Sequence, residues 1–271
     1  MSRIITLTTD FGNADHYVGT VKGVMLNINP AATLVDVCNS VPAYDVLAGA
    51  LTLAQAYSFF PAGTIHVVVV DPGVGSARRA ILADTGKYLF VAPDNGVLSL
   101  VYEREPRLSV RHITAEHYFL QPVSSTFHGR DVFAPIAAHL SKGVQVEKMG
   151  EVIGDYRRFA IPRPKTTGAN SLQGVVIKVD TFGNLVTNIR PHDLPQVFVA
   201  HPGPGSAAPA AFRALVGKGE VRTLRSAFAE APPGEVFAIL GSMGYVEIAS
   251  NRGSAAQALA AGKGSEVTFE F

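Results

Sequence analysis

One segment constrains the fold of this chain more than any other. Ile65 to Val70 runs without the polar–apolar alternation of a half-exposed strand and is closed by Asp71-Pro72-Gly73-Val74-Gly75. Such a strand is covered on both faces, the condition of a central strand in a parallel sheet flanked by helices. The surrounding segments agree. Ile4 to Thr8, Leu34 to Val37, Ile81 to Ala83 and Tyr88 to Val91 read as further strands. Val18, Val21, Met25 and Ile28 recur at helical spacing behind Asp15, a residue suited to cap them, and Asn29-Pro30 ends that helix. A second helix runs from about Asp45 to Phe59. Gly96 to Tyr102 and Val132 to Leu140 read as two more. Strands alternating with helices predict a Rossmann-like α/β domain with a mostly parallel sheet.

The pattern changes after Arg163. Arg163-Pro164-Lys165-Thr166-Thr167-Gly168 reads as a linker, and only short strands follow: Gly174 to Val179, Leu185 to Ile189, Val236 to Leu240, Tyr245 to Ala249 and Glu266 to Phe271. Turn residues separate them, as in a small barrel or sandwich. His201 to Ala210, rich in Pro, Gly and Ala, reads as an exposed loop. The expectation is an N-terminal α/β domain over residues 1–165 and a smaller C-terminal β-barrel-like domain over residues 166–271.

Composition narrows the partners. Charged residues make up 17% of the 271 and hydrophobic ones 47%, against roughly 25% charged in an ordinary soluble protein. That balance predicts a large core and a subunit interface. A net charge of +1 offers no general field to draw in nucleic acid or an anionic membrane. The single cysteine, Cys38, rules out an intrachain disulfide and an all-cysteine zinc site. The N-terminus reaches Asp10 without a long apolar run, and Val67 to Val70 is far too short to span a bilayer. A cytoplasmic protein is expected.

Ligands of open α/β sheets bind beyond the carboxyl ends of the strands, and polar residues concentrate there. Thr8-Thr9-Asp10-Phe11-Gly12 ends the first strand, Asp71 to Gly75 the strongest one, and Pro93-Asp94-Asn95-Gly96 another. Thr126-Phe127-His128-Gly129-Arg130-Asp131 precedes a helix. Each cluster has a plain alternative. Asp10 and Asp94 can cap helices or shape turns, Gly73 and Gly75 supply backbone freedom, and His128 can be structural. Four such clusters at one edge of one sheet argue for a site. The Asp71 turn is neither a Walker loop nor a dinucleotide fingerprint, and its carboxylate favours a cationic or neutral ligand over a phosphate.

Taken together, these segments, with Tyr17-Val18-Gly19, Lys22-Gly23, Phe182-Gly183-Asn184 and Asn251-Arg252-Gly253-Ser254-Ala255, resemble the S-adenosylmethionine hydroxide adenosyltransferases. These are also called S-adenosylmethionine hydrolases and are relatives of bacterial fluorinase and chlorinase. The resemblance spans nearly the whole chain. It implies hydrolysis of S-adenosyl-L-methionine to adenosine and L-methionine, without a cofactor or metal, in a homotrimer with sites at subunit interfaces. It puts the catalytic set on Asp71, Arg78 and His128 and the ribose contact on Asp10. The methionine contacts fall on Asp180, Asn184 and Ser242, in the turn leading to Tyr245, and the adenine edge meets Asn251 and Arg252. Phe11, Tyr17, Phe127 and Phe182 are candidates to wall the site, and Asp94 and Asn95 to line it. Halogenating relatives carry Tyr at the place of Asp71 and a Trp against the adenine. This chain has no Trp, and Met243 stands where they have Arg, so a halide-dependent synthase is the weaker alternative. A non-catalytic binder of adenosine or S-adenosylmethionine is another. Independently of the resemblance, Asp10, Asp71 and Asp94 suggest a metal-dependent phosphohydrolase. Either Asp71 or His128 can be the base that takes the proton of the attacking water; the residues alone do not choose.

Overall fold

The computed structural model describes residues 3–195 and 212–271; the expected loop from His201 to Ala210 lies outside them. The chain divides into two compact units, Met1–Ala160 and Ile161–Phe271.

Among the described residues the first unit carries β1 (Ile4–Thr9), α1 (Tyr17–Ile28), β2 (Thr33–Cys38), α2 (Val46–Ala56), β3 (Ile65–Val69), β4 (Ala80–Asp84), β5 (Leu89–Pro93), α3 (Ser99–Arg104), β6 (Ser109–His112), α4 (Ala134–Ser141) and β7 (Val152–Ile153). They form one sheet in the order β2-β1-β3-β5-β4-β6-β7. The strongest apolar segment, β3, is buried along its whole length. Val21 and Met25 of α1 and Ile136 and Ala137 of α4 share one core with Ile5 and Val67. Leu53 of α2 and Val101 of α3 share another with Val68 and Phe90. The polar exception in β3 is His66, fully buried, with Nδ1 2.7 Å from Thr6 Oγ1 and its ring stacked on Phe90. Burial pushes its pKa down to about 3, so the ring is neutral.

Strands β2, β1, β3 and β5 are parallel, and the remaining pairings are antiparallel. The sheet is therefore mixed. The cause is local: β4 and β5 are joined by the tight turn Asp84 to Tyr88, with Gly86 at φ 75°, too short for a crossover. The expected cap at Asp15 is not made. The helix begins at Tyr17 with His16 at its cap position, and its first backbone bond runs from Thr20 N to His16 O, one residue beyond Asp15's register. The helix expected at Asp45 does start there, with the Asp45 side chain accepting from Ala48 N.

The second unit carries β8 (Lys165–Gly168), β9 (Ser171–Val179), β10 (Leu185–Thr187), β11 (Arg213–Val216), β12 (Gly219–Val221), β13 (Leu224–Arg225), β14 (Val236–Leu240), β15 (Val246–Ser250), α5 (Ala255–Leu259) and β16 (Glu266–Glu270). Its strands make one curled half-barrel sheet around a core that includes Leu185, Ile248, Val267 and Phe269. The stretch read as a linker contains β8, which folds back on β9 across Ala169-Asn170. No helix of the described residues is long and apolar enough to cross a membrane.

Candidate active site

The order β2-β1-β3 means that the chain leaves β1 toward one side and returns on the other. This reversal opens a crevice at the carboxyl ends of β1 and β3. Thr9 and Val69 are partners at those ends, so Asp10 and Asp71 emerge from neighbouring strands. Buried Asn39 braces the first turn: its Oδ1 accepts from Thr9 Oγ1 at 2.9 Å, and its carbonyl accepts from Gly12 N.

Asp71 and Arg78 form a buried ion pair. Arg78 Nε lies 2.9 and 3.1 Å from the two carboxylate oxygens and Nη2 lies 2.6 Å from Oδ2; the side chains are only 5% and 6% exposed. The same Nη2 lies 2.6 Å from His128 Nδ1. The three side chains thus form one continuous array from two separate loops. Backbone fit brings those loops together. Gly75 has φ 76°, and a Cβ there would overlap the carbonyl oxygen of Ser125, so only glycine allows the approach. The second loop is held from beneath by Asp131, which is fully buried, accepts from Ser124 N at 2.8 Å and pairs with Arg130. A π-helical turn, Gly129–Phe133, leads from His128 into α4. Such turns are frequent at functional sites.

The array fixes the protonation of His128. A guanidinium has donors and no acceptor, so Nδ1 must offer its lone pair and the ring proton sits on Nε2. Burial and then the positive charge of Arg78 lower the pKa of this imidazole; Asp71 and Asp131 oppose them. Both effects keep the ring neutral.

Asp10 is half-buried, and its Oδ2 accepts from Tyr44 N at 2.9 Å, which leaves acceptor sites free. Phe11, Tyr17 and Phe127 form an aromatic cluster beside it, with centroids 5.2–6.0 Å apart. Asp94 and Asn95 are committed to the framework. Asp94, 3% exposed, accepts from the Arg79 guanidinium and Arg157 N. Asn95 donates to Val70 O and accepts from Val97 N. Both side chains thus brace the turn after β5. Asp10, Asp71 and Asp94 do not gather into an ion cage, and among the described residues no group of three or more His, Cys, Asp or Glu does.

In the second unit, Asp180 closes the β9–β10 turn. Its Oδ1 accepts from Phe182 N and Asn184 N, and its Oδ2 from Asn184 Nδ2. Asn184 Oδ1 accepts from Ser250 N. Phe182 is 77% exposed. Ser242 is exposed on the Gly241–Tyr245 turn, while Tyr245 is buried beneath the Arg190 guanidinium. Asn251 Nδ2 donates to Ala231 O, and Arg252 is exposed with φ 54°.

Tyr44 went unnoticed in the sequence. It is 74% exposed, at φ 65°, and its amide orients Asp10. A bulky residue held at positive φ is strained, and nothing in Pro42-Ala43-Tyr44-Asp45 announces that conformation.

Comparison with known proteins adds an independent line. Residues 5–150 match the family described as SAM hydroxide adenosyltransferase N-terminal domain, and residues 174–268 match its C-terminal domain. The chain is 34% identical to the (R)-S-adenosyl-L-methionine hydrolase of Thermus thermophilus, covering 98% of each chain. It is 38% identical to that of Salinispora arenicola, covering 97% of this chain and 96% of the relative. A fluorinase of an Actinoplanes species is 30% identical over 73% of this chain and 75% of its own. Among solved structures, an uncharacterized conserved protein from Thermotoga maritima superposes with a TM-score of 0.86 at 37% identity, covering 99% of this chain and all of the other.

Proposed function

This chain belongs to the S-adenosylmethionine hydroxide adenosyltransferase family, and from that premise we infer that it hydrolyses S-adenosyl-L-methionine to adenosine and L-methionine. The observation that carries the reading is the Asp71–Arg78–His128 array. The sulfonium of the substrate leaves as a neutral thioether and needs no proton. The demanding partner is water, whose pKa of about 15.7 makes it a poor nucleophile. The array supplies a carboxylate and a donor framework to hold one water in line with the ribose C5′. Such alignment contributes roughly 7–11 kcal/mol in favourable intramolecular cases. The water oxygen bonds C5′, the C5′–S bond breaks with its electron pair going to sulfur, and the water proton passes to Asp71.

The neutral, Nε2-protonated state of His128 favours Asp71 as acceptor of that proton. A second proton on His128 would have to enter at Nδ1, against the Arg78 donor. His128 is thus a positioning residue that holds Arg78, while Arg78 aims both oxygens of Asp71. Asp10 offers its free acceptor sites to the ribose diol. Phe11, Tyr17 and Phe127 shield the reacting carbon from stray water, and Asn251 and Arg252 meet the adenine. A homotrimer with its sites at subunit interfaces and a cytoplasmic location belong to the same reading.

Incubation with S-adenosyl-L-methionine in heavy-oxygen water tests it. Label should appear in the 5′-hydroxyl of adenosine. Both sulfonium epimers belong in the assay, since the relatives are named for the (R) form. Unlabelled adenosine, or none from either epimer, sinks the reading.

A further inference from the structure

Arg78 is gripped on more sides than its ion pair accounts for. Besides the bonds to Asp71 and His128, its guanidinium carbon lies 5.3 Å from the centre of the Phe133 ring, within the range of a cation–π contact. Phe133 is fully buried. It ends the π-helical turn Gly129–Phe133, and His128 occupies the cap position at the other end of the same turn. One short element thus supplies two of the three contacts that fix the guanidinium, and the loop after β3 supplies the third.

The π geometry explains how. Ala134 N donates to Gly129 O, five residues back. On an ordinary α-helix, residues three and four apart share a face and residues five apart do not. The wider turn brings position i+5 over position i, so His128 and Phe133 both meet Arg78. An α-helical turn would stack Asp131 or Val132 against His128 instead. An aliphatic side chain at 133 would fill the same core, with Val69 and Ala80, but would offer no negative face to a cation. The Arg78 side chain is only 6% exposed, so little water competes for its charge, the condition in which cation–π contacts are strongest.

We propose that Phe133 is a positioning residue of the hydrolytic array: its ring fixes the Arg78 guanidinium in the one orientation that bonds Asp71 and His128 together. The proposal rests on the hydrolase reading for what the array does, and on the ring contact for what holds it. Without that contact the guanidinium is free to swing off His128 Nδ1, and the imidazole reports the change. The charged groups around His128 are Asp71 and Arg78 from the loop after β3, Arg130 and Asp131 from its own turn, and Arg79, His112 and Glu116, which line one cavity with it. Arg79 is paired with Asp94 and Asp155. Burial and Arg78 hold the His128 pKa down, against Asp71 and Asp131. A loosened Arg78 lets it rise.

Two variants of the full-length protein test it: Phe133→Leu, and pentafluorophenylalanine installed at position 133, which keeps the ring's outline and removes the negative charge from its face. In both, kcat should fall roughly three- to thirtyfold, the scale of a desolvated cation–π contact, with KM held within about twofold. NMR of histidine-labelled protein, with the His128 signal assigned by its loss in His128→Asn, should show the titration midpoint rising toward about 6.5. An unshifted midpoint in the fluorinated variant overturns the proposal. So does a loss of turnover confined to Phe133→Leu, which assigns Phe133 to packing alone. If Phe133→Leu does not fold, the fluorinated variant decides by itself. The titration needs no substrate: wild-type protein that forms no adenosine removes the hydrolase reading, and the His128 midpoint still judges the grip on Arg78.

Discussion

At the scale of single residues, the hydrogen-bond direction at His128 determines its chemistry. Because Arg78 only donates, the imidazole is useful as an acceptor and not as a base. His128→Asn, which keeps an acceptor near Nδ1, should therefore retain far more turnover than His128→Ala. Equal loss in the two variants would restore His128 as the base. Asp71→Asn should lower kcat by ~10²–10⁴-fold, the range of a lost general base. The pH dependence has a definite sign. The lowered pKa of His128 keeps the ring neutral at and above pH 7, and protonation at lower pH sets an N–H against the guanidinium. Turnover should be flat near neutrality and fall on the acid side, with any His128-linked midpoint below the ordinary ~6.5. A midpoint above that value would contradict the assigned tautomer. The sequence showed the three residue types and their loops, but which atom faces which is a product of tertiary structure. The commitment of Asp94 to Arg79 and Arg157 was hidden for the same reason: its partners are 15 and 63 positions away.

At the scale of elements, the two loops carrying the array depend on one glycine. Gly75→Ala would place a Cβ in the Ser125 carbonyl oxygen at a backbone angle that disfavours side chains. Strain of this kind costs about 1–3 kcal/mol. The expected result is a lower melting temperature together with a loss of kcat, because Ser125 shares its loop with His128. A variant of unchanged melting temperature and turnover would show that the contact is dispensable. The long elements were legible because their signals are periodic or continuous: β1, β2, β3 and β5, and helices α1, α2 and α4. The strands β6, β7, β8 and β11 to β13 span only two to four residues each, too few for alternation to register. They exist because neighbouring strands offer them backbone partners. The antiparallel turn between β4 and β5 was hidden in plain Thr-Gly-Lys residues, since both strand segments were visible but not their direction.

At the scale of the whole molecule, the residues named in the proposed function divide between the two units: Asp10, Asp71, Arg78 and His128 belong to the first, and Asn251 and Arg252 to the second. The proposed homotrimer is checked by light scattering, which should give a mass three times that of one chain, with activity falling on dilution below the assembly range. A fully active monomer would refute it. The loop contact at Gly75 and Ser125 has a wider meaning. The distance between the two loops is set by main-chain atoms, and the side chain at position 71 is only a guest on that frame. A scaffold so arranged can be handed a different attacking group by exchanging the guest, with no rebuilding of the host.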